Sequence, residues 1–213
     1  MSGVTGWYGK LPARGDFVCH GLSPEWVAAW DHCLQQVLRL GGLPPFPPWR
    51  FLAWPAVAGA AGWAQAGVLV PSHDRVGRVF PLTVVQTLAP HQLQGRDWPS
   101  IESALARLAD AALDVTDTAD PALTEDFVVV LSTLGSVFDS VQGRGAAQVL
   151  RPEDAGACSL WWRPPAPGAA PQPQAQRWPP EPERLHALLS AAADPPADAP
   201  LPAAPAPAPR TPW

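Results

Sequence analysis

The chain has 213 residues, enough for one domain with little left for a second. A hydrophobic share of 47% supports a core, while charged residues, at 15%, fall below the usual quarter. The net charge is −5 and no Lys/Arg cluster occurs, which argues against nucleic acid as a partner.

Three cysteines, Cys19, Cys33 and Cys158, are too few and too widely spaced for a disulfide framework. The first ten residues lack the basic start and apolar run of a signal peptide, and no apolar window is long enough to span a membrane. A reducing cytoplasm and no membrane insertion are expected. Lys10 is the only lysine. The excess of Ala and Pro reads as the residue bias of a GC-rich genome and receives no functional weight.

From the N-terminus, Thr5 to Val18 reads as a short strand and a Gly-rich loop. A helix follows. Ser23 is placed to cap it, Pro24 takes the first helical position, and Glu25 suits the positive helix end. Trp26, Val27, Trp30, Cys33, Leu34, Val37 and Leu38 recur at three- and four-residue spacing, which predicts one apolar stripe. Gly41-Gly42 ends the helix. Pro44 to Pro48 is a stiff connector. Trp49 to Trp54 reads as a strand. Ala66 to Val70 and Val79 to Leu88 read as a long hairpin around the polar loop Pro71 to Arg78.

Ile101, Leu105, Leu108 and Ala112 mark a second amphipathic helix. Phe127 to Leu131 is an unbroken apolar run, as in a strand covered on both faces. Cys158 to Trp162 predicts another strand. Pro164 to Gln176 has no period and is expected to be loop. Glu181 to Ser190 recovers helical spacing through Leu185, Leu188 and Leu189. Beyond Ala191 the chain is Ala, Pro and Asp almost to its end, too little bulk to offset roughly 1–2 kcal/mol of backbone entropy per ordered residue. The expected organisation is one α/β domain over 1–190, with a Pro-rich loop at 164–180 and a disordered Pro/Ala-rich tail over 191–213.

Several motifs suggest chemistry and fail on inspection. Gly9-Lys10 is not a phosphate loop, because Val4 stands where the leading glycine belongs and Leu11 follows the lysine. Ser72, His73 and Asp74 are adjacent, whereas a hydrolase triad converges from separate elements. Cys19-His20 and His32-Cys33 match no zinc spacing, and neighbouring helix residues do not face one ligand. Arg14-Gly15-Asp16 spells an adhesion tripeptide, but a tight turn with Arg and Asp close together explains it without export. Catalytic, cofactor and metal sites are therefore not expected. The 11 tryptophans read mainly as core, with some indole N–H groups available for an interface.

Two segments carry more than pattern. They are Gly6-Trp7-Tyr8-Gly9-Lys10-Leu11-Pro12-Ala13-Arg14-Gly15-Asp16-Phe17-Val18 and Gly67-Val68-Leu69-Val70-Pro71-Ser72-His73-Asp74-Arg75-Val76-Gly77-Arg78-Val79-Phe80-Pro81-Leu82-Thr83. With Trp30-Asp31, Trp49-Arg50-Phe51 and Ser159-Leu160-Trp161-Trp162, they resemble the TagF (ImpM) family of type VI secretion accessory proteins over roughly residues 5 to 190.

The resemblance implies a single three-layer α/β/α domain around a central mixed or antiparallel sheet. It also implies a non-enzymatic, post-translational repressor of secretion that binds the forkhead-associated scaffold protein of the apparatus. A structural or assembly component of the machine is the alternative. Arg14, Asp16, Asp74, Arg75 and Arg78 are the candidate partner-binding residues. Their turns also admit a structural role, in which Asp16 or Asp74 bonds Arg75 or Arg78 and pins the hairpin. No cofactor is implied.

Overall fold

The computed structural model describes residues 5–54, 64–93, 96–120, 159–166 and 169–191. Seven strands form one sheet: β1 Thr5–Gly9, β2 Val18–His20, β3 Trp49–Ala53, β4 Ala64–Val70, β5 Leu82–Leu88, β6 Ser159–Trp162 and β7 Gln174–Gln176. The helices are α1 Pro24–Arg39, the single turn α2 Pro90–Leu93, α3 Trp98–Thr116 and α4 Pro182–Ala191. The strand order is β2-β1-β5-β4-β3-β6-β7, and every pairing is antiparallel.

Helix α1 starts and stops where its residues direct. The Ser23 hydroxyl accepts the Trp26 N–H at 3.3 Å, and Glu25 and Arg39 sit at opposite ends of the helix dipole. Its buried face is Trp26, Trp30, Cys33, Leu34 and Val37, as the spacing predicts. Asp97 caps α3 by accepting from both the N–H and the hydroxyl of Ser100. The hairpin pairs Gly67 with Val85 and Val70 with Leu82.

Strand alternation sorts the core into two clusters. Leu52, Val68, Val84, Leu160 and Trp162 pack against Ile101, Leu105 and Leu108 of α3. Phe51, Leu69, Val85 and Trp161 pack against Trp30 and Leu34 of α1 and Leu185 and Leu189 of α4. Central strands buried on both sides explain why β3 and β4 lack the polar alternation of a half-solvated sheet. Gly67 marks a close approach: a Cβ there would stand 2.4 Å from the Phe51 ring and 2.7 Å from the Val84 carbonyl oxygen.

The tryptophans are mostly core. Trp178 stacks on Trp30 and Phe51 with ring centroids 5.2 and 5.4 Å apart, and Phe51 stacks on Trp161 at 4.7 Å. Three buried indole N–H groups find internal acceptors: Trp26 donates to Gln65, Trp30 to Thr83 and Trp161 to Ser159. Trp162 donates to Glu102 of α3 at 2.8 Å, and the other oxygen of that carboxylate lies 2.7 Å from the Arg50 guanidinium.

Four expectations need correction or limits. Val18, read as the end of the Gly-rich loop, instead opens the strand Val18–His20, which pairs with β1 through Trp7 and His20. The second arm of the hairpin begins at Leu82, and Val79 makes only an isolated bridge to His73, because Pro81 has no N–H to donate to a ladder. Pro164 to Gln176 is not all loop. Gln174–Gln176 pairs with β6 at the sheet edge, where proline-rich flanks are tolerated, and the Ser159 hydroxyl bonds the Gln176 and Arg177 carbonyls. Ala191 closes α4 rather than opening a tail. The strand expected over Phe127 to Leu131, Cys158 and the rest of the tail, 192–213, lie outside the described residues.

Candidate functional site

At the turn between β4 and β5 the chain reverses around one carboxylate. Asp74 is fully buried. Its Oδ1 accepts the main-chain N–H groups of Val76 and Arg78 at 3.1 and 2.9 Å. Its Oδ2 accepts from Lys10 Nζ at 2.8 Å and Arg78 Nε at 2.6 Å. The Gly77 N–H closes back on the Asp74 carbonyl, and Gly77 takes φ +84°, a conformation that suits glycine.

Burial acts to raise the Asp74 carboxyl. The bonds from Lys10, from the Arg78 main chain and guanidinium, and from Val76 outweigh it and hold the group well below the usual carboxylate range.

The Arg14–Phe17 loop lies against this turn. The Arg75 N–H donates to the Arg14 carbonyl at 3.0 Å, the Arg78 guanidinium to the Gly15 carbonyl at 3.1 Å, and the Ser72 hydroxyl to the Lys10 carbonyl at 2.6 Å. Lys10 also lies 5.0 Å from the centre of the Phe17 ring, which meets Phe80 edge-on at 4.7 Å.

The base is buried and the outer face is not. Phe17, Val76 and Val79 are 38%, 71% and 52% exposed, large values for apolar side chains. Arg14, Arg75 and Arg78 are exposed among them, with Asp16 the acidic neighbour. Such a face, apolar residues interleaved with guanidiniums on a fixed base, suits recognition of another protein.

The structure thus brings Arg14, Asp74, Arg75 and Arg78 together. Of the pairings considered from sequence, Asp74 with Arg78 is formed; the Asp16 carboxylate instead accepts its own neighbour, the Phe17 N–H, at 2.8 Å. Lys10 was missed as the second counter-charge. Its one available signal was being the only lysine in an arginine-biased chain.

Ser72 is buried with its hydroxyl given to the Lys10 carbonyl, and Asp74 is committed to Lys10 and Arg78, so neither is arranged around His73 as a triad requires. Cys33 is buried on the α1 stripe while His32 is exposed, so the two do not share a ligand. Burial, with Glu183 nearby, pushes the Cys33 thiol up to about 12. The Tyr8 hydroxyl donates to Asp31 at 2.5 Å, and burial followed by that bond raises its pKa.

The model of the TagF N-terminal domain, described as type VI secretion system-associated, matches residues 6–42 and 43–129. Among solved structures, PA0076 from Pseudomonas aeruginosa PAO1 is similar at 26% identity with a TM-score of 0.59, over 94% of this chain and 100% of that one. No curated protein matches the chain.

Proposed function

This chain belongs to the TagF family of type VI secretion-associated proteins, and on that premise we propose that it is a non-enzymatic, post-translational repressor of the apparatus. It acts in the cytoplasm by stoichiometric binding to the forkhead-associated scaffold protein. The binding unit is a three-layer domain that ends with α4, and the Pro/Ala-rich segment after it is not needed for recognition.

One observation carries the reading. Three arginines and three exposed apolar side chains share one face whose backbone is fixed by the buried Asp74 carboxylate. A surface pre-ordered in this way loses little freedom on binding, and apolar anchors beside Arg are typical of interface hot spots.

The test is calorimetric titration of the full chain, and of a version ending at Ser190, against the forkhead-associated protein from the same secretion cluster. Both are expected to bind at micromolar affinity or better. Arg75→Ala and Val76→Ser, both at exposed positions, are expected to keep the parent melting temperature and weaken binding by about tenfold or more. Absence of binding by two folded chains would reject the scaffold reading. Unchanged affinity in both variants would move the interface elsewhere on the domain.

A further inference from the structure

A groove runs between the β7 edge of the sheet and α4. It has a volume of about 310 Å³, with Trp49, Gln176, Arg163, Arg184 and Leu188 in its walls. A second depression of about 200 Å³ adjoins it along the Pro164–Pro165 segment, with Trp49, Arg163 and Gln174 common to both.

Two of these side chains hold unanswered hydrogen-bonding groups. Trp49 is 2% exposed, and its indole N–H has no acceptor among the described residues. Gln176 is 9% exposed, and its side-chain carbonyl has no donor among the described residues. The contrast with Trp26, Trp30, Trp161 and Trp162, whose indoles all donate to protein oxygens, sets Trp49 apart. Native interiors leave few such groups unsatisfied, and each one calls for an explanation.

Trp49 and Gln176 thus bring one donor and one acceptor to the groove's lining, the two hydrogen-bonding types that a peptide backbone carries. Arg163 adds an exposed guanidinium with no ion-pair partner shown among the described residues. Arg184 adds a second, 3.2 Å from Glu181 in a solvent-exposed pair, which is weak and exchangeable. No acidic residue lines the groove among the described residues.

From this we infer that the groove binds an extended, acidic polypeptide segment of a partner protein. Trp49 and Gln176 take the backbone, and Arg163 and Arg184 take carboxylates. The Trp49 indole N–H and the Gln176 carbonyl oxygen both lie below the accessible surface, so binding requires the side chains over them to move. The groove is lined by residues of β3, β7 and α4, whereas the Asp74 turn joins the central strands β4 and β5, so the inference stands apart from the function proposed above.

The experiment uses the full-length, 15N-labelled chain, with the indole N–H of Trp49 assigned by triple resonance. The probe is a blocked octapeptide alternating Glu and Ser, and its control is the same peptide with Gln for Glu. The Glu peptide is expected to move the Trp49 indole resonance. Its affinity is expected to fall about tenfold or more in Arg163→Gln/Arg184→Gln, whose changes are on the surface and leave the fold intact. The Gln peptide is expected to bind correspondingly weaker.

An unmoved Trp49 indole overturns the inference. So does equal affinity for the two peptides, or no effect of the arginine changes. Shifts confined to residues 14–17 and 74–79 overturn it too, by assigning acidic recognition to the loop face.

Discussion

Removal of one carboxylate beneath α3 should unfasten that helix from the sheet. Glu102 lies 2.7 Å from the Arg50 guanidinium and accepts the Trp162 indole N–H at 2.8 Å, so a single side chain on α3 holds β3 and β6. The side chains of Arg50 and Glu102 are 7% and 16% exposed, which leaves little water to replace what is lost. Arg50 is already strained electrostatically. Burial lowers its pKa, with Glu102 and then Asp110 opposing, and its Nη1 has no hydrogen-bond partner.

Glu102→Ala therefore leaves a buried guanidinium uncompensated, a change that costs about 3–5 kcal/mol. Against a domain stability of roughly 5–15 kcal/mol that is a large fraction. At 2–4 °C per kcal/mol for a chain of this size, the melting temperature should fall by roughly 6–20 °C. Replacing both partners, Arg50→Met with Glu102→Leu, removes the charge with its counter-charge and should recover most of the loss.

The assay is urea unfolding followed by tryptophan fluorescence for the parent, Glu102→Ala, Glu102→Leu, Arg50→Met and the double variant, with the parent, the last two singles and the double read as a cycle. A Glu102→Ala cost under about 1 kcal/mol would show that the pair behaves like a solvated surface bridge and would refute the reasoning. A double variant no more stable than Glu102→Ala would refute it independently.

Three further outcomes follow from particular contacts. Gly67→Ala places a methyl between the Phe51 ring and the Val84 carbonyl and should cost about 1–3 kcal/mol by urea unfolding, with the strands forced apart. Iodoacetamide at pH 8, followed by peptide mapping, should label exposed Cys19 while buried Cys33, its thiol raised to about 12, reacts only after denaturation. Asp74 and Asp97 are held below their unfolded values, so their stabilisation is present above about pH 3.9 and drains as pH falls further. Cys33 and Tyr8 are raised, so theirs is complete below about pH 8.5 and 10 respectively and is lost as pH rises beyond. Melting temperature should show a plateau between these limits, and Asp74→Asn should flatten the acid side; an acid slope equal to the parent's would deny Asp74 that role.

The periodic parts of the molecule were legible in its residues. The stripe of α1, its Ser23 cap, the hairpin of β4 and β5, the face of α3 and the leucines of α4 all follow from spacing and turn chemistry, which act within a few residues of chain. The family was legible from two motifs for the same reason, since each is a contiguous strand and turn. Other features come from residues far apart in sequence. Asp74 meets a lysine 64 positions earlier, and Ser159 draws Gln176 into the sheet from a stretch that local pattern marks as loop. Trp30 and Trp49 look alike as isolated tryptophans, yet the first finds Thr83 across 53 residues and the second finds no acceptor among the described residues. Period and propensity are properties of a segment. Whether a buried polar atom is satisfied depends on which faces the folded sheet and helices bring together, and no local pattern encodes that.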